Sequence, residues 1–190
     1  SDLGSGAALR RTVFYERHVA AGARMVEFGG WEMPVQYPSG IIEEHLATRR
    51  HAGLFDVSHM GRFVFTGAGA LPFLQRMLTN NAAALEAGEA QYTVIPTATG
   101  GAVDDAYLYR FFNDEYLLVV NAANREKDWG VFQAALAGPE FGDVSLTDRT
   151  DELVMLSLQG PESRRILSDL LEDGALPDPW RNQLSIVRIA

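Results

Sequence analysis

Two adjacent aspartates, Asp104 and Asp105, lie where a glycine-rich turn leads into an apolar, aromatic run, in the segment TATGGAVDDAYLYRF (residues 97–111). Burying a carboxylate is costly unless a partner compensates it, so this placement needs a structural or a chemical reason. In an Asx-type turn, both carboxylates would accept backbone N–H groups, and this structural explanation stays open. In the functional alternative, one carboxylate lies in a half-dry pocket, where it can accept a proton or hold a polar ring.

Only one of the two aspartates can point inward, because neighbouring residues of a strand face opposite sides of a sheet. Asp105 shares its face with Val103, Tyr107 and Tyr109 in the predicted strand. We therefore predict that Asp105 is the inward carboxylate. Asp104 is then left to meet solvent or to cap the glycine turn.

Three further side chains could join Asp105. Tyr92 lies in the preceding predicted strand, Asn121 ends the following one, and Met60 is the third candidate. A carboxylate, a phenol and an amide beside a thioether suit a flat, nitrogen-rich heterocycle better than they suit a phosphate.

Most other chemistries lack their residues in this sequence. The chain has no cysteine, which excludes a thiolate nucleophile and a cysteine-based metal site. It also lacks the phosphate-loop, nucleophile-elbow, HExxH and GxGxxG motifs. The four histidines are scattered, at His18, His45, His51 and His59, so no metal site is predicted.

Charge and hydropathy narrow the possible partners. The formal net charge of −9 would repel nucleic acid and anionic membranes. No apolar window approaches the length needed to span a bilayer, and no secretory leader opens the chain. We therefore expect a cytoplasmic protein that binds neither nucleic acid nor membrane.

The candidate residues lie on a predicted antiparallel meander. Strand-like runs at 89–96, 102–112 and 116–121 are joined by loops short enough for hairpins. A helix is predicted next, at about 124–137. Hairpins among alternating strands and helices predict an α+β fold, with antiparallel sheets flanked by helices, in preference to a doubly wound parallel fold.

Flanking segments carry further predictions. The glycines and prolines of FGGWEMPVQYPSG (residues 28–40) predict a loop, and LFDVSHMGRFVFTG (54–67) reads as one strand. Residues 1–8 resemble a disordered tail or a cloning remnant. The apolar run LSIVRIA is predicted as a strand at 184–189, and because natural termini usually fray, we expect the chain to be a fragment of a longer protein.

Several of these stretches resemble, in order, the T-protein of the glycine cleavage system, a folate-dependent aminomethyltransferase family. The most specific are FGGWEMPVQY, FDVSHMG and VVNAANREKD; GGAVDDAYLY and LSLQGPESRRIL are also similar. The resemblance covers essentially everything from Leu9 onward.

The resemblance implies a reaction and an architecture. The family takes the aminomethyl group from the lipoyl arm of the H-protein, passes its one-carbon unit to tetrahydrofolate and releases ammonia. Its fold is a three-domain cloverleaf around a folate channel. On this basis, residues 9–54 and about 148–190 belong to an incomplete first domain, and residues 55–147 to a second α+β domain.

The resemblance also implies residue roles. The family's catalytic aspartate matches Asp105, and its folate-lining methionine, tyrosine and asparagine match Met60, Tyr92 and Asn121. An attacking amine must lose a proton as its new C–N bond forms, and a positioned carboxylate can accept that proton. Because the chain stops before the family's GYTGEDG segment, we expect it alone to bind folate poorly and to be inactive.

Two alternatives within the same fold stay open. One is a related folate-dependent enzyme of the dimethylglycine or sarcosine type, in which such a half follows a flavin domain; the start near residue 9 speaks against it. The other is a non-catalytic folate-binding protein. Such relatives usually carry a cysteine-bearing motif late in the chain and depart from FDVSHMG, which is intact here.

Overall fold

The computed structural model describes residues 8–111, 115–179 and 182–190. Its strands are, in chain order, β1 (Arg10–Arg11), β2 (Arg24–Phe28), β3 (Trp31–Gln36), β4 (Gly53–Asp56), β5 (Gly61–Thr66), β6 (Glu89–Pro96), β7 (Ala102–Arg110), β8 (Tyr116–Val120), β9 (Ser145–Asp148), β10 (Leu156–Gln159), β11 (Leu171–Asp173) and β12 (Arg188–Ile189). Its α-helices are α1 (Tyr15–Ala20), α2 (Ile41–Arg50), α3 (Ala70–Met77), α4 (Arg125–Leu136) and α5 (Ser163–Asp169). Of the predicted tail, all but residue 8 lies outside the described residues.

The described chain divides into two compact units. Unit 1 comprises the residues up to His59 together with Val154–Ser163, and unit 2 comprises Met60–Leu153 and Arg164–Ala190. The sequence placed residues from about 148 to the end with the first domain, whereas contacts group the last segment with unit 2. The assignment of these units to folate-channel domains stays a prediction.

In unit 1, the loop predicted over residues 28–40 is wrong in its first part, where β2 and β3 form a hairpin. Its two-residue turn is Gly29–Gly30, and both glycines have positive φ (59° and 85°), as the preferred hairpin turns require. Pro34 is tolerated within β3 because β1 pairs with only the first two residues of that strand. Glycine and proline are therefore parts of the strand structure here.

The single strand predicted over residues 54–67 is also wrong. Strand β4 ends at Asp56 and pairs antiparallel with β10 in unit 1, whereas β5 begins at Gly61 and belongs to the sheet of unit 2. The break has a local cause: the backbone N–H of Ser58 donates to Asp56 Oδ1 (3.0 Å), which forms an Asx-type turn.

Unit 2 is built on a five-stranded antiparallel sheet in the order β6–β7–β8–β5–β9. The predicted meander is confirmed as β6–β7–β8, and the predicted helix that follows it is confirmed as α4. Antiparallel sheets and helices in this arrangement confirm the α+β class.

One face of this sheet carries the core of unit 2. Side chains from the sheet pack with those of α3 and α4, and the rings of Phe65 and Phe132 lie 5.4 Å apart between centroids. Burying each large apolar side chain contributes roughly 1.5–3 kcal/mol. The opposite face is partly open to solvent. Its side chains alternate with the buried ones of β6 and β7, and among them Tyr92 and Asp105 are exposed and Tyr107 is half-buried.

At the end of the chain, the strand predicted at 184–189 is reduced to β12. It pairs antiparallel with β11, a strand that the sequence did not predict. Among the described residues, no helix combines the length and the apolar character that crossing a membrane requires.

Candidate functional site

The two aspartates of β7 face opposite sides of the sheet, but the prediction that Asp105 points inward is wrong. Asp104 is the buried one, with 8% of its surface exposed, and it shares the core face with Ala106 and Leu108. Asp105 is exposed on the opposite, open face, where Tyr107 is half-buried. Strand alternation correctly predicted which residues share a face. The helices, however, cover the face that carries Asp104 and not the face that carries Asp105.

Asp105 has two side-chain partners. Tyr92 donates its hydroxyl proton to Oδ2 (3.0 Å), and Asn121 donates from Nδ2 to Oδ1 (2.8 Å). The register explains the first contact: Val94 pairs with Asp105, so Tyr92, two residues earlier on the same face, reaches it diagonally. Two of the other three predicted site residues, Tyr92 and Asn121, are therefore hydrogen-bonded to Asp105.

Asn121 holds both aspartates at once. Its Nδ2 also donates to Asp104 Oδ1 (3.0 Å), and an amide nitrogen has two hydrogens to give. Asn121 directly follows Val120, which pairs with Ala106, so its side chain starts opposite the aspartate pair. The end of β8 thus joins a buried carboxylate to an exposed one.

Met60 lies at the same end of the sheet. It directly precedes Gly61, which pairs with Val120, and is half-buried. Its carbonyl accepts a hydrogen bond from Arg62 Nη1 (2.8 Å). A Cβ at Gly61 would lie 2.5 Å from Val120 Cγ2, so this close approach of β5 and β8 requires glycine.

Sequence reasoning missed two members of this group, Asn124 and Asp128. Asn124, at the N-cap of α4, donates from Nδ2 to Asp104 Oδ1 (2.9 Å). Asp128 is fully buried and lies beside Asp104, which contributes to raising its pKa. The signal was present in VVNAANREKD, where positions 124 and 128 have the spacing that brings side chains to one face of a helix.

The buried acids have opposite pKa shifts. Burial by itself would raise the pKa of Asp104, but hydrogen bonds from Asn121, Asp128 and Asn124 outweigh it and hold that pKa below its ordinary value. Burial, reinforced by the neighbouring Asp104, raises the pKa of Asp128 to about 7. One carboxyl group of the pair therefore stays ionised while the other keeps its proton almost to neutrality.

On the open face, the hydrogen bond to Asp105 raises the pKa of the Tyr92 phenol. Tyr92 therefore stays protonated at neutral pH and acts as a donor to the carboxylate. The Asx-turn explanation of the aspartates is wrong for the glycine turn, since Thr97 closes it by accepting from the N–H of Gly101 (2.9 Å).

This arrangement can accept a proton or bind the N–H edge of a ring. Asp105 uses two of the roughly four acceptor positions of a carboxylate and leaves the rest toward solvent. Among the described residues, no group of three or more His, Asp or Glu side chains could hold a metal ion.

Comparisons with known proteins identify the family to which the chain is similar. Residues 14–179 match the family model described as the GCVT N-terminal domain. The aminomethyltransferase of Deinococcus deserti is 51% identical over 160 residues, covering 84% of this chain and 44% of that protein. That of Thermus thermophilus is 46% identical over 182 residues, covering 96% and 51%.

A solved structure is similar as well. The crystal structure of glycine cleavage system aminomethyltransferase T from Bartonella henselae superposes with a TM-score of 0.79 at 35% identity. The match covers 90% of this chain and 48% of that one. The chain thus spans about half the length of the curated relatives it matches.

Proposed function

The chain belongs to the GCVT N-terminal domain family, and from this premise we propose that it is part of a tetrahydrofolate-dependent aminomethyltransferase of the glycine cleavage system. The enzyme would move the one-carbon unit from the aminomethyl-lipoyl H-protein to tetrahydrofolate and release ammonia. Support comes from relatives named aminomethyltransferase at 46–51% identity and from the Bartonella protein, which is named for the glycine cleavage system.

The observation that carries the proposal is the Asp105 carboxylate, exposed on the open face and held by Tyr92 and Asn121. The pyrimidine half of a reduced pterin is flat and presents N–H groups along its edge, which suits the acceptor positions that Asp105 leaves free. Tyr107 and Tyr109, with ring centroids 5.3 Å apart, add aromatic surface on the same face of β7. The residues present therefore fit such a ring.

The role of each side chain follows from its hydrogen bonds. Tetrahydrofolate would supply the nucleophilic nitrogen that receives the one-carbon unit. Asp105 would accept the proton released there, while Tyr92 and Asn121 fix the plane of its carboxylate. Met60, at the same end of the sheet, would contact the ring through its thioether. Positioned general bases contribute about 10²–10⁴-fold to rate.

The proposal includes a partner and a location. The carrier of the aminomethyl group would be the lipoylated H-protein, as the sequence resemblance implies. The cytoplasmic location expected from the sequence belongs to the same proposal. The half-length match to its relatives supports the proposal that the chain is part of a larger enzyme.

The test is the Asp105→Asn variant of the complete gene product, supplied with aminomethyl-lipoyl H-protein and tetrahydrofolate. Loss of the proton acceptor should lower ammonia release by about 100-fold or more. Asp169→Asn is the matched control, because Asp169 is an exposed aspartate paired with Arg165 on α5 and should tolerate the change. Undiminished ammonia release from Asp105→Asn would contradict the proposal.

A further inference from the structure

Asp128 of α4 is a buried acid that lies beside a second acid, Asp104. It has no exposed surface, and one turn further along α4 lies Phe132, a member of the core of unit 2. Both carboxyl oxygens of Asp128 are buried without a hydrogen-bond donor among the described residues, and Oδ2 of Asp104 is in the same state. Buried polar atoms without partners are rare in folded proteins, so three of them in adjacent carboxyl groups need an explanation.

A single proton accounts for two of the three atoms. If one carboxyl group is protonated, its O–H can donate to the other, and two neighbouring carboxylates no longer repel each other. The hydrogen bonds decide which group carries the proton. Asp104 Oδ1 already accepts from Asn121 and Asn124, which favours ionised Asp104, whereas Asp128 accepts from no donor among the described residues.

We propose that Asp128 is a positioning residue whose protonated carboxyl group donates to Asp104 and so fixes Asn121, and through Asn121 the Asp105 carboxylate. The connection is continuous, because Asn121 Nδ2 reaches Asp104 Oδ1 at 3.0 Å and Asp105 Oδ1 at 2.8 Å. A group inside the core thereby sets the orientation of an exposed acid. The consequence for turnover rests on the proposed function, but the proton itself can be observed without any ligand.

The charged groups around Asp128 agree with this assignment. Asp104 and Asp105 of β7 both disfavour its ionisation, and Lys127 on its own helix favours it. Lys127 is exposed, and its Nζ donates to the carbonyl of Val103 (2.7 Å). Burial acts in the same direction as the two acids and raises the pKa of Asp128 to about 7.

The first test follows carboxyl carbons and side-chain amides by NMR during a pH titration of this chain. The Asp128 carboxyl carbon should titrate near neutral pH, and the side-chain NH₂ resonances of Asn121 should change in the same transition. If Asp128 titrates in the acidic range of an ordinary aspartate, or if Asn121 does not follow it, the inference is overturned.

Two neutral variants separate donation from charge. The amide of Asp128→Asn can still donate to Asp104, so the Asn121 resonances should stay near their low-pH wild-type positions and no longer titrate. Asp128→Leu has similar bulk and no donor, so those resonances should move even at low pH. Equal Asn121 spectra for the two variants would overturn the inference. If Asp128→Leu fails to fold, the wild-type titration and the Asn variant still decide.

Turnover of the complete gene product gives the second readout. Asp128→Leu should lower kcat about tenfold or more with little change in KM, because a misplaced catalytic group loses rate. Asp128→Asn should restore kcat to near the wild-type value, and equal losses in both variants would overturn the positioning role. If wild-type protein shows the NMR transition but no aminomethyl transfer, the proposed function fails while the Asp128–Asp104 hydrogen bond stands.

Discussion

Two aspartates, one in each unit, show how differently this chain uses a carboxylate. Asp56 of unit 1 accepts from the Thr12 hydroxyl (2.6 Å) and the Ser58 N–H (3.0 Å), and its Oδ2 lies 3.0 Å from Nε2 of His18. Its side chain is only 2% exposed. Asp105 of unit 2 has two side-chain donors and lies exposed on an open sheet face.

The two aspartates differ in whether their carboxylate oxygens keep acceptor positions that no protein group uses. The partners of Asp56 tie the segment before α1 to the end of β4, and this network continues to Tyr37 through Nδ1 of His18 (2.7 Å). Burial would raise the pKa of Asp56, but hydrogen bonds from His18, Thr12 and Ser58 outweigh it and lower that pKa. Burial and a shifted pKa therefore mark a structural carboxylate here, and free lone pairs mark the functional candidate.

The largest expected effect on stability is that of Asp56→Ala. The substitution leaves a hydroxyl, an imidazole and an N–H without their acceptor inside unit 1, and each buried unsatisfied group costs about 1–3 kcal/mol. We expect unit 1 to lose about 3 kcal/mol. Native-state hydrogen exchange of the β2–β3 amides would measure this loss in unit 1 alone.

Asp105→Ala is the matched comparison in unit 2. Because Asp105 is exposed, its removal should change the free energy of unfolding by no more than about 0.5 kcal/mol, read from the β7–β8 amides. Equal losses from Asp56→Ala and Asp105→Ala would mean that both carboxylates are structural. The contrast between the two units would then be wrong.

The second prediction is that the two units respond to pH in opposite directions. Folded unit 2 holds a proton on Asp128 that the unfolded chain releases near its ordinary pKa of about 4. Its stability should therefore fall as pH rises from about 4 through about 7, by at most about 1.4 kcal/mol per pH unit. The lowered pKa of Asp56 works the other way: its contribution is complete above about 4 and is lost in more acidic solution.

Histidines do not obscure this measurement, since all four lie in unit 1. The lowered pKa values of Asp104 and Asp148 affect the stability of unit 2 only in more acidic solution, below the pH range of this measurement. Hydrogen exchange of the β7–β8 amides between pH 5 and 7 should show the slope, and Asp128→Asn should flatten it. A unit 2 stability that is flat with pH in the wild-type chain would contradict the raised pKa.

The site in unit 2 also shows which features could be predicted from the sequence and which could not. Tyr92, Asp105 and Asn121 were grouped correctly because hairpins with short loops fix register locally, and register decides which residues share a face. Which face of the sheet is covered depends on how α3 and α4 pack, and the sequence of β7 alone does not determine that packing. Asp128 was missed for the same reason, since a charged residue in a helix ordinarily faces water and only tertiary packing buries this one.

In unit 1, the local signals for turns and strand ends led to wrong predictions. Gly29 and Gly30 were read as ending regular structure, whereas they provide the positive φ angles of the turn between β2 and β3. The break at Asp56 was overlooked because apolar alternation continues through FDVSHMGRF, although a side chain that bonds its own backbone competes with a strand. The alternation of apolar and polar residues alone thus predicts well which residues share a face of a strand, and it predicts poorly where the strand ends.

The smallest expected effect is that of Tyr92→Phe, which removes one donor from Asp105 and leaves the carboxylate itself. Asn121 continues to hold Oδ1, so ammonia release by the complete gene product should fall by about tenfold or less, well short of the Asp105→Asn loss. Tyr15→Phe, which alters a phenol of unit 1 outside the site, is the control and should leave turnover unchanged.

The order of these two losses tests which group of the site does the chemistry. A positioned carboxylate that has lost one of two donors still accepts a proton, whereas an amide in its place cannot. If Tyr92→Phe instead costs as much as Asp105→Asn, the phenol carries the proton and Asp105 only orients it. The exposed carboxylate would then be structural like Asp56, and the free acceptor capacity that separates the two units would have no functional meaning.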